Sequence, residues 1–326
     1  MPRRRQLAGR EEPLDWTGFP REQVPCVLCG SGSGVPLSVQ RGWPVVRCPR
    51  CGLVYLSERP RESALEELYS RAYYEDGDVG YKGYMETFEA HRDVYLRLFE
   101  RRHRDLAARI RGRRLLEVGC AYGLLLDFLS RRGWEVSGVE VSPLSSAWAR
   151  NELGLDVRTG TLETAGFSAG SFDAILLLDV LEHLHRPYDA LARISGLLAP
   201  GGVLVVQCPW ELYHWEEVMQ AVLTGRRPGT IEPDAVPAHL YFFGPRTLDG
   251  VLRRGGFRIV GRQSGNYGEI RRRVSPPVCG SRRRTVRILH SVYHRMGVQR
   301  VLYGIARRVG LGNGLIRYAV PEDPGS

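Results

Sequence analysis

Between Arg113 and Gly261 short apolar runs alternate with segments whose apolar residues return at helical spacing. That alternation restricts the fold more than any other feature of the chain. Runs that are apolar along their whole length suit strands buried on both faces, as in a parallel sheet covered by helices. Strands are expected at about Arg114 to Val118, Glu135 to Val139, Asp156 to Thr159, Phe172 to Leu178, Gly202 to Gln207 and Phe257 to Gly261. Helices are expected between them, at about Leu124 to Arg131, Pro143 to Glu152, Tyr188 to Leu198 and Pro245 to Arg254. Pro143 and Pro245 fit first helical turns, where a missing N–H has no partner to lose. Gly133 and Gly201 follow helices where a left-handed stop is wanted. The expected class is α/β.

Ahead of this region stand two C-x-x-C pairs, Cys26-Val-Leu-Cys29-Gly30 and Cys48-Pro-Arg-Cys51-Gly52. Pairs separated by roughly 15 to 20 residues can close a tetrahedral thiolate cage around zinc. A glycine after each second cysteine lets the knuckle backbone turn left-handed. Four thiolates leave no open coordination position, so Cys26, Cys29, Cys48 and Cys51 are expected to hold a structural zinc in a small zinc-ribbon-like module. A redox dithiol is disfavoured, because no strand-to-helix context of the thioredoxin kind surrounds either pair.

The remaining organisation follows from composition. Residues 1–20 are charged and aperiodic and are expected to be a disordered tail. The zinc module is assigned to 21–58 and a helical linker or substrate cap to 59–112. The catalytic core is assigned to 113–264 and a basic helical extension to 265–326, its amphipathic stretch running from Arg284 to Val309. The net charge of +10 admits a nucleic-acid partner. It does not favour one, because Lys82 is the only lysine among 46 basic residues and the arginines are scattered in short runs. No stretch approaches the roughly 18 to 20 apolar residues of a membrane span and no secretory h-region opens the chain, so a cytoplasmic location is expected.

The sequence Arg114-Leu-Leu-Glu117-Val-Gly119-Cys120-Ala-Tyr-Gly123 runs an apolar strand into a glycine-bearing turn and then a helix. Open α/β sheets bind ligands at such carboxyl ends. With Val139-Glu140-Val141-Ser142-Pro143, Ser171-Phe172-Asp173, Asp179-Val180-Leu181-Glu182-His183 and His239-Leu240-Tyr241-Phe242-Phe243 following in order, the region resembles the class I S-adenosylmethionine-dependent methyltransferases. The resemblance covers roughly Arg113 to Gly261 and implies a Rossmann-like core. It places Gly119, Cys120 and Gly123 against the methionine part of the donor and Glu140 on the ribose, and it counts Glu117 and Asp179 among the donor-binding residues. Thr161 and Leu162 fall where the adenine is read. There the chain departs from the family, which often has a carboxylate at the position of Thr161. Ala121 replaces the middle glycine, a change accommodated if that residue avoids positive φ.

The implied activity is methyl transfer from S-adenosylmethionine to oxygen or carbon of a small molecule. An N-terminal four-cysteine module resembles that of the sugar C-methyltransferases and related enzymes of polysaccharide and natural-product pathways, although their further C-terminal domain has no counterpart. The rivals are an RNA methyltransferase and a non-catalytic zinc protein that binds nucleic acid. His183 is the expected general base, with Glu182 orienting it and His239 as the competing base. The aromatic groups Tyr73, Tyr74, Tyr81, Tyr84, Tyr213 and Trp215 are either core or the wall of an acceptor pocket.

Overall fold

The computed structural model describes residues 18–64, 84–210, 235–265 and 314–322. The stretch Arg284 to Val309, Tyr73, Tyr74, Tyr81, Tyr213, Trp215 and most of the expected tail lie outside these residues.

The cysteine pairs sit among five short strands, β1 (Arg21–Gln23), β2 (Val35–Gln40), β3 (Trp43–Arg47), β4 (Val54–Leu56) and β5 (Glu58–Pro60). Two helices follow, α1 (Tyr84–Ala90) and α2 (Arg92–Arg109). The alternating region then runs β6 (Arg114–Val118), α3 (Leu124–Ser130), β7 (Glu135–Glu140), α4 (Pro143–Leu153), β8 (Asp156–Thr159), β9 (Phe172–Leu178), α5 (Pro187–Leu197) and β10 (Leu198–Pro209). It closes with β11 (Tyr241–Phe242), α6 (Pro245–Arg254), β12 (Phe257–Gly265) and β13 (Gly314–Pro321). The local signals act as expected. Ser142 caps α4 by accepting from the Ser145 amide, Pro143 occupies its first turn, and Gly154 ends it in the left-handed region.

The main sheet has seven strands in the order β12-β13-β10-β9-β6-β7-β8. Strands β10, β9, β6, β7 and β8 are parallel, and β13 runs antiparallel to both β10 and β12. Side-chain alternation splits the strands between two cores. Leu116, Ile175, Leu177, Leu204 and Val206 pack on one side, where Leu191, Ile194 and Val251 of the helices meet them. Leu115, Ala174, Leu176 and Val205 pack on the other, against Leu106, Leu125 and Leu126. The order of the strands reverses between β6 and β9, so the loops leaving their carboxyl ends diverge, the arrangement at which open α/β sheets form a ligand crevice.

Two features depart from the sequence reading. Residues 314–321, assigned there to a helical extension, form β13 and complete the main sheet. The cysteine module shares the first core, because Trp43, Tyr55 and Leu56 belong to the same buried cluster as Phe242 and Phe243. Strand β11 pairs antiparallel with β4, Tyr241 opposite Tyr55 and Phe242 opposite Val54, and so extends the module's sheet into the later part of the chain.

Candidate active site

Strand β6 ends at Val118, and Gly119 turns the backbone at φ 72°. A Cβ there would lie 2.6 Å from Val180 Cγ2, so conformation and space both require glycine. Gly123 begins α3 at φ 70°, and a Cβ there would meet Leu155 Cδ1 at 2.7 Å. Between them Ala121 adopts φ 48°, so the condition under which it would replace glycine without strain is not met. Its amide donates to Glu140 Oε2 at 2.8 Å, and the same carboxylate accepts from the Ser142 amide through Oε1, also at 2.8 Å. These two charge-assisted bonds outweigh the roughly 1–2 kcal/mol that the left-handed region costs an alanine. Buried Glu140 thereby clamps the loop after β6 to the loop after β7.

Glu117 lies beside this clamp with Oε2 buried and without a hydrogen-bond partner. Burial raises its pKa to about 8; Arg102 opposes that shift and Glu140 adds to it. Cys120 stands between these carboxylates, its thiol pushed well up by burial and by their charges. Tyr84 stacks on Tyr122, with centroids 5.8 Å apart. Burial, then Tyr95, Glu117, Cys120 and Glu140, raise its phenol, so Tyr84 is the one expected aromatic among the described residues that reaches this cluster. The loop after β8 is tied in by the Gly160 amide, which donates to the Glu140 carbonyl at 2.9 Å. Thr161 is exposed and Leu162 buried, which gives this edge an apolar contact and no carboxylate at the position of Thr161.

On the other side of β6, Asp179 ends β9 at φ 59°. Its amide donates to the Gln207 carbonyl at 2.9 Å and its Oδ2 accepts from Gln207 Nε2 at 3.4 Å. A 3-10 turn, Leu181–His183, follows. The half-buried His183 ring places Nδ1 2.9 Å from the Ala238 carbonyl. A carbonyl only accepts, so Nδ1 carries the proton and Nε2 keeps its lone pair. Burial and His239 hold the His183 pKa well below the usual range, so the ring is neutral at pH 7. The two imidazoles meet edge to face at 4.5 Å. Glu182 does not orient His183 as expected: neither carboxylate oxygen finds a partner at hydrogen-bond geometry, and the Ala238 carbonyl fills that role. Burial and Asp179 raise the Glu182 carboxyl to about 8 against the pull of His239, and the Cys208 thiol lies beside it.

Among the described residues two groups of side chains can hold a cation. Ligand atoms of Glu182, His183 and His239 all lie within 4.8 Å of one another, as do the sulfurs of Cys26, Cys29, Cys48 and Cys51. In the cysteine cluster the Gly30 and Gly52 amides donate to the Cys26 and Cys48 carbonyls at 2.8 and 2.9 Å, and both glycines have positive φ. Each knuckle also turns backbone amides toward sulfur, those of Cys29 and Leu28 toward Cys26 and those of Cys51 and Arg50 toward Cys48. Four thiols on two tight knuckles form the donor set that tetrahedral zinc takes.

Sequence reasoning missed Arg102 and Gln207. The only signal for Gln207 was a polar residue closing an apolar strand, and nothing distinguished Arg102 from its arginine neighbours.

A methyltransferase domain model matches residues 88–261, more than half of the chain. The ubiquinone biosynthesis O-methyltransferase of Cereibacter sphaeroides is 35% identical over 109 residues, 31% of this chain and 44% of that protein. The protein of the same name from Nitrosococcus oceani is 30% identical over 180 residues, 53% of this chain and 73% of that protein. The chain thus spans less than half the length of the first of these relatives. Among solved structures, a SAM-dependent methyltransferase from Archaeoglobus fulgidus superposes with a TM-score of 0.46 at 16% identity, covering 73% of this chain and 99% of that one.

Proposed function

Because this chain belongs to the methyltransferase-domain family of class I, S-adenosylmethionine-dependent enzymes, we propose that it methylates a hydroxyl group of a small molecule, with His183 as the base. The observation that carries this reading is the neutral imidazole fixed by the Ala238 carbonyl at the carboxyl edge of the sheet. That the relatives are O-methyltransferases favours oxygen over carbon as acceptor. The cysteine module points to sugars or natural-product intermediates as the class of acceptor, through its resemblance to that branch. Arg21 and Arg59 of the module are engaged internally, on Glu58 and on Glu22, which supports a small molecule over a nucleic acid.

The residues fit the donor. Glu140 would hold the ribose hydroxyls, Gly119 and Cys120 would lie against the methionine part, and the unpartnered Glu117 oxygen would accept from its ammonium. Leu162 would pack on the adenine. The donor supplies an electrophilic methyl group on a sulfonium. His183 Nε2 removes the acceptor's hydroxyl proton as the oxygen–methyl bond forms, and the electron pair of the broken bond stays on sulfur. Asp179, Glu182 and His239 line the same edge, His239 being the alternative base. Cys26, Cys29, Cys48 and Cys51 would hold one zinc that does no chemistry.

Calorimetry tests the donor half of this reading. S-adenosylhomocysteine should bind the parent protein and bind Glu140→Ala at least about tenfold more weakly, the expected loss of a charge-assisted hydrogen bond. Absence of binding to the folded parent protein overturns the reading. His183→Ala should keep donor affinity and lose about 10²-fold in turnover; unchanged turnover there, with a large loss in His239→Ala, transfers the role to His239.

A further inference from the structure

Helix α2 reaches the carboxyl edge of the sheet through one side chain. The Arg102 guanidinium donates to Gln207 Oε1 on β10, and Gln207 Nε2 donates in turn to Asp179 Oδ2 at the end of β9. An amide is symmetric enough in shape to sit either way round, so a cation on its oxygen determines where its N–H groups point. Arg102 therefore aims the Gln207 donor at Asp179. That bond acts together with the amide bond to the Gln207 carbonyl on Asp179, whose backbone is left-handed at φ 59°. The same guanidinium acts on the carboxyl group at the end of β6, where it is the positive charge opposing the burial of Glu117. Tyr318 of β13 also feels that charge. One arginine thus connects the ends of β6, β9 and β10, the three strands on which the crevice is built.

We infer that Arg102 is a positioning residue of the donor site, one that aligns Asp179 through Gln207 and turns a positive charge toward Glu117, which would receive the donor's ammonium. The inference rests on the reading that the donor binds at the ends of β6 and β7. Glu117 faces Arg102 from α2, Glu140 from the end of β7, Tyr84 from α1 and Cys120 from its own loop. Of these Arg102 is the cation. Without it the carboxyl group keeps its proton to higher pH, and a neutral carboxyl accepts from an ammonium more weakly than a carboxylate does.

The test measures S-adenosylhomocysteine affinity by calorimetry in Arg102→Met, Gln207→Leu and the double variant, with Glu140→Ala as control and thermal unfolding as the check on folding. Arg102→Met should weaken binding about tenfold and move the midpoint of the pH profile of binding upward. Arg102→Lys should restore that midpoint and only part of the affinity, since it keeps the charge and loses the planar fork. The two losses should be strongly non-additive in the double variant, because both substitutions cut one chain of contacts. A purely structural role would lower the unfolding temperature and leave the pH midpoint in place. If Arg102→Met does not fold, Gln207→Leu decides, because it cuts the same chain from the sheet side. Affinity within twofold of the parent in that variant, or additive losses, overturns the inference. If Glu140→Ala also leaves affinity unchanged, the donor-site reading itself fails; if only Glu140→Ala weakens binding, the inference about Arg102 fails alone.

Discussion

Glu117 and Glu182 are both buried carboxyl groups whose pKa is raised to about 8, the first opposed by Arg102 and the second by His239. An unfolded chain ionises such groups near the ordinary carboxylate value of 4.5. Between that value and about 8 the folded state therefore binds more protons than the unfolded one. The contribution of each group to stability is full below the unfolded value and is lost as pH rises toward the folded one, at up to about 1.4 kcal/mol per pH unit. Urea unfolding of the ligand-free protein should show stability falling from about pH 5 to pH 8. Glu182→Gln should flatten part of that slope; an unaltered slope would show that Glu182 ionises normally. Ala121 offers a complementary test of backbone strain. Ala121→Gly removes the cost of φ 48° but adds freedom to the unfolded chain, so the net gain should be modest, at most about 1 kcal/mol. The thermal midpoint should rise without loss of donor affinity, because the amide that Glu140 holds remains.

At the level of elements, β13 is fastened to α6 by a buried charge. Arg317, only 3% exposed, pairs with Asp249, which also accepts from Arg262 at 2.8 Å. Asp249→Ala leaves a buried guanidinium uncompensated and should cost about 3–5 kcal/mol in chemical denaturation. Adding Arg317→Met should recover a large part of that loss, since a buried pair replaced on both sides is often close to neutral; no recovery would show that packing rather than charge holds the strand. Strand β13 also marks where the sequence became illegible. Parallel strands such as β6 and β9 are apolar on both faces and stand out locally, whereas Gly314 to Pro321 pairs with strands far away in sequence and follows an arginine-rich stretch. The two residues of β11 owe their conformation to Tyr55 and Val54, a pairing that no local period encodes. In the site, Glu140 and the glycine turn were readable from their position at strand ends. The positive φ of Ala121 was not, because a contact with Glu140 overrides its local preference. Arg102 was hidden by composition, one arginine among many on a helix read as a linker or cap.

Across the whole molecule the cysteine module and the turn at Glu182 and His183 are joined by a continuous run of contacts. The Leu56 amide donates to the Leu240 carbonyl at 3.0 Å, and the Leu240 amide donates to the Glu182 carbonyl at 2.9 Å. His185 Nε2 meets the Pro60 carbonyl at 2.8 Å, the Tyr188 hydroxyl donates to the Val27 carbonyl at 3.1 Å, and Arg59 reaches the Tyr241 hydroxyl at 3.0 Å. The segment so held carries His239 and the Ala238 carbonyl that fixes His183. The Glu140 clamp, the proposed donor side, lies instead between β6 and β7, strands that make no pairing with the module. Metal and folding are linked in small thiolate sites. Removal of the proposed zinc by a chelator, or Cys48→Ser, should therefore loosen the acceptor half of the site more than the donor half. Hydrogen exchange should quicken in Leu240 to Phe242 and in the turn at Glu182 and His183, while the Glu140 clamp stays protected and S-adenosylhomocysteine affinity changes by less than about threefold. Metal analysis should report the loss of one zinc in the same samples. If protection is lost equally at both halves, the module and the core unfold as one unit and the selective coupling is wrong. If no zinc is present before chelation and exchange is unaltered after it, the four thiols hold the module without metal.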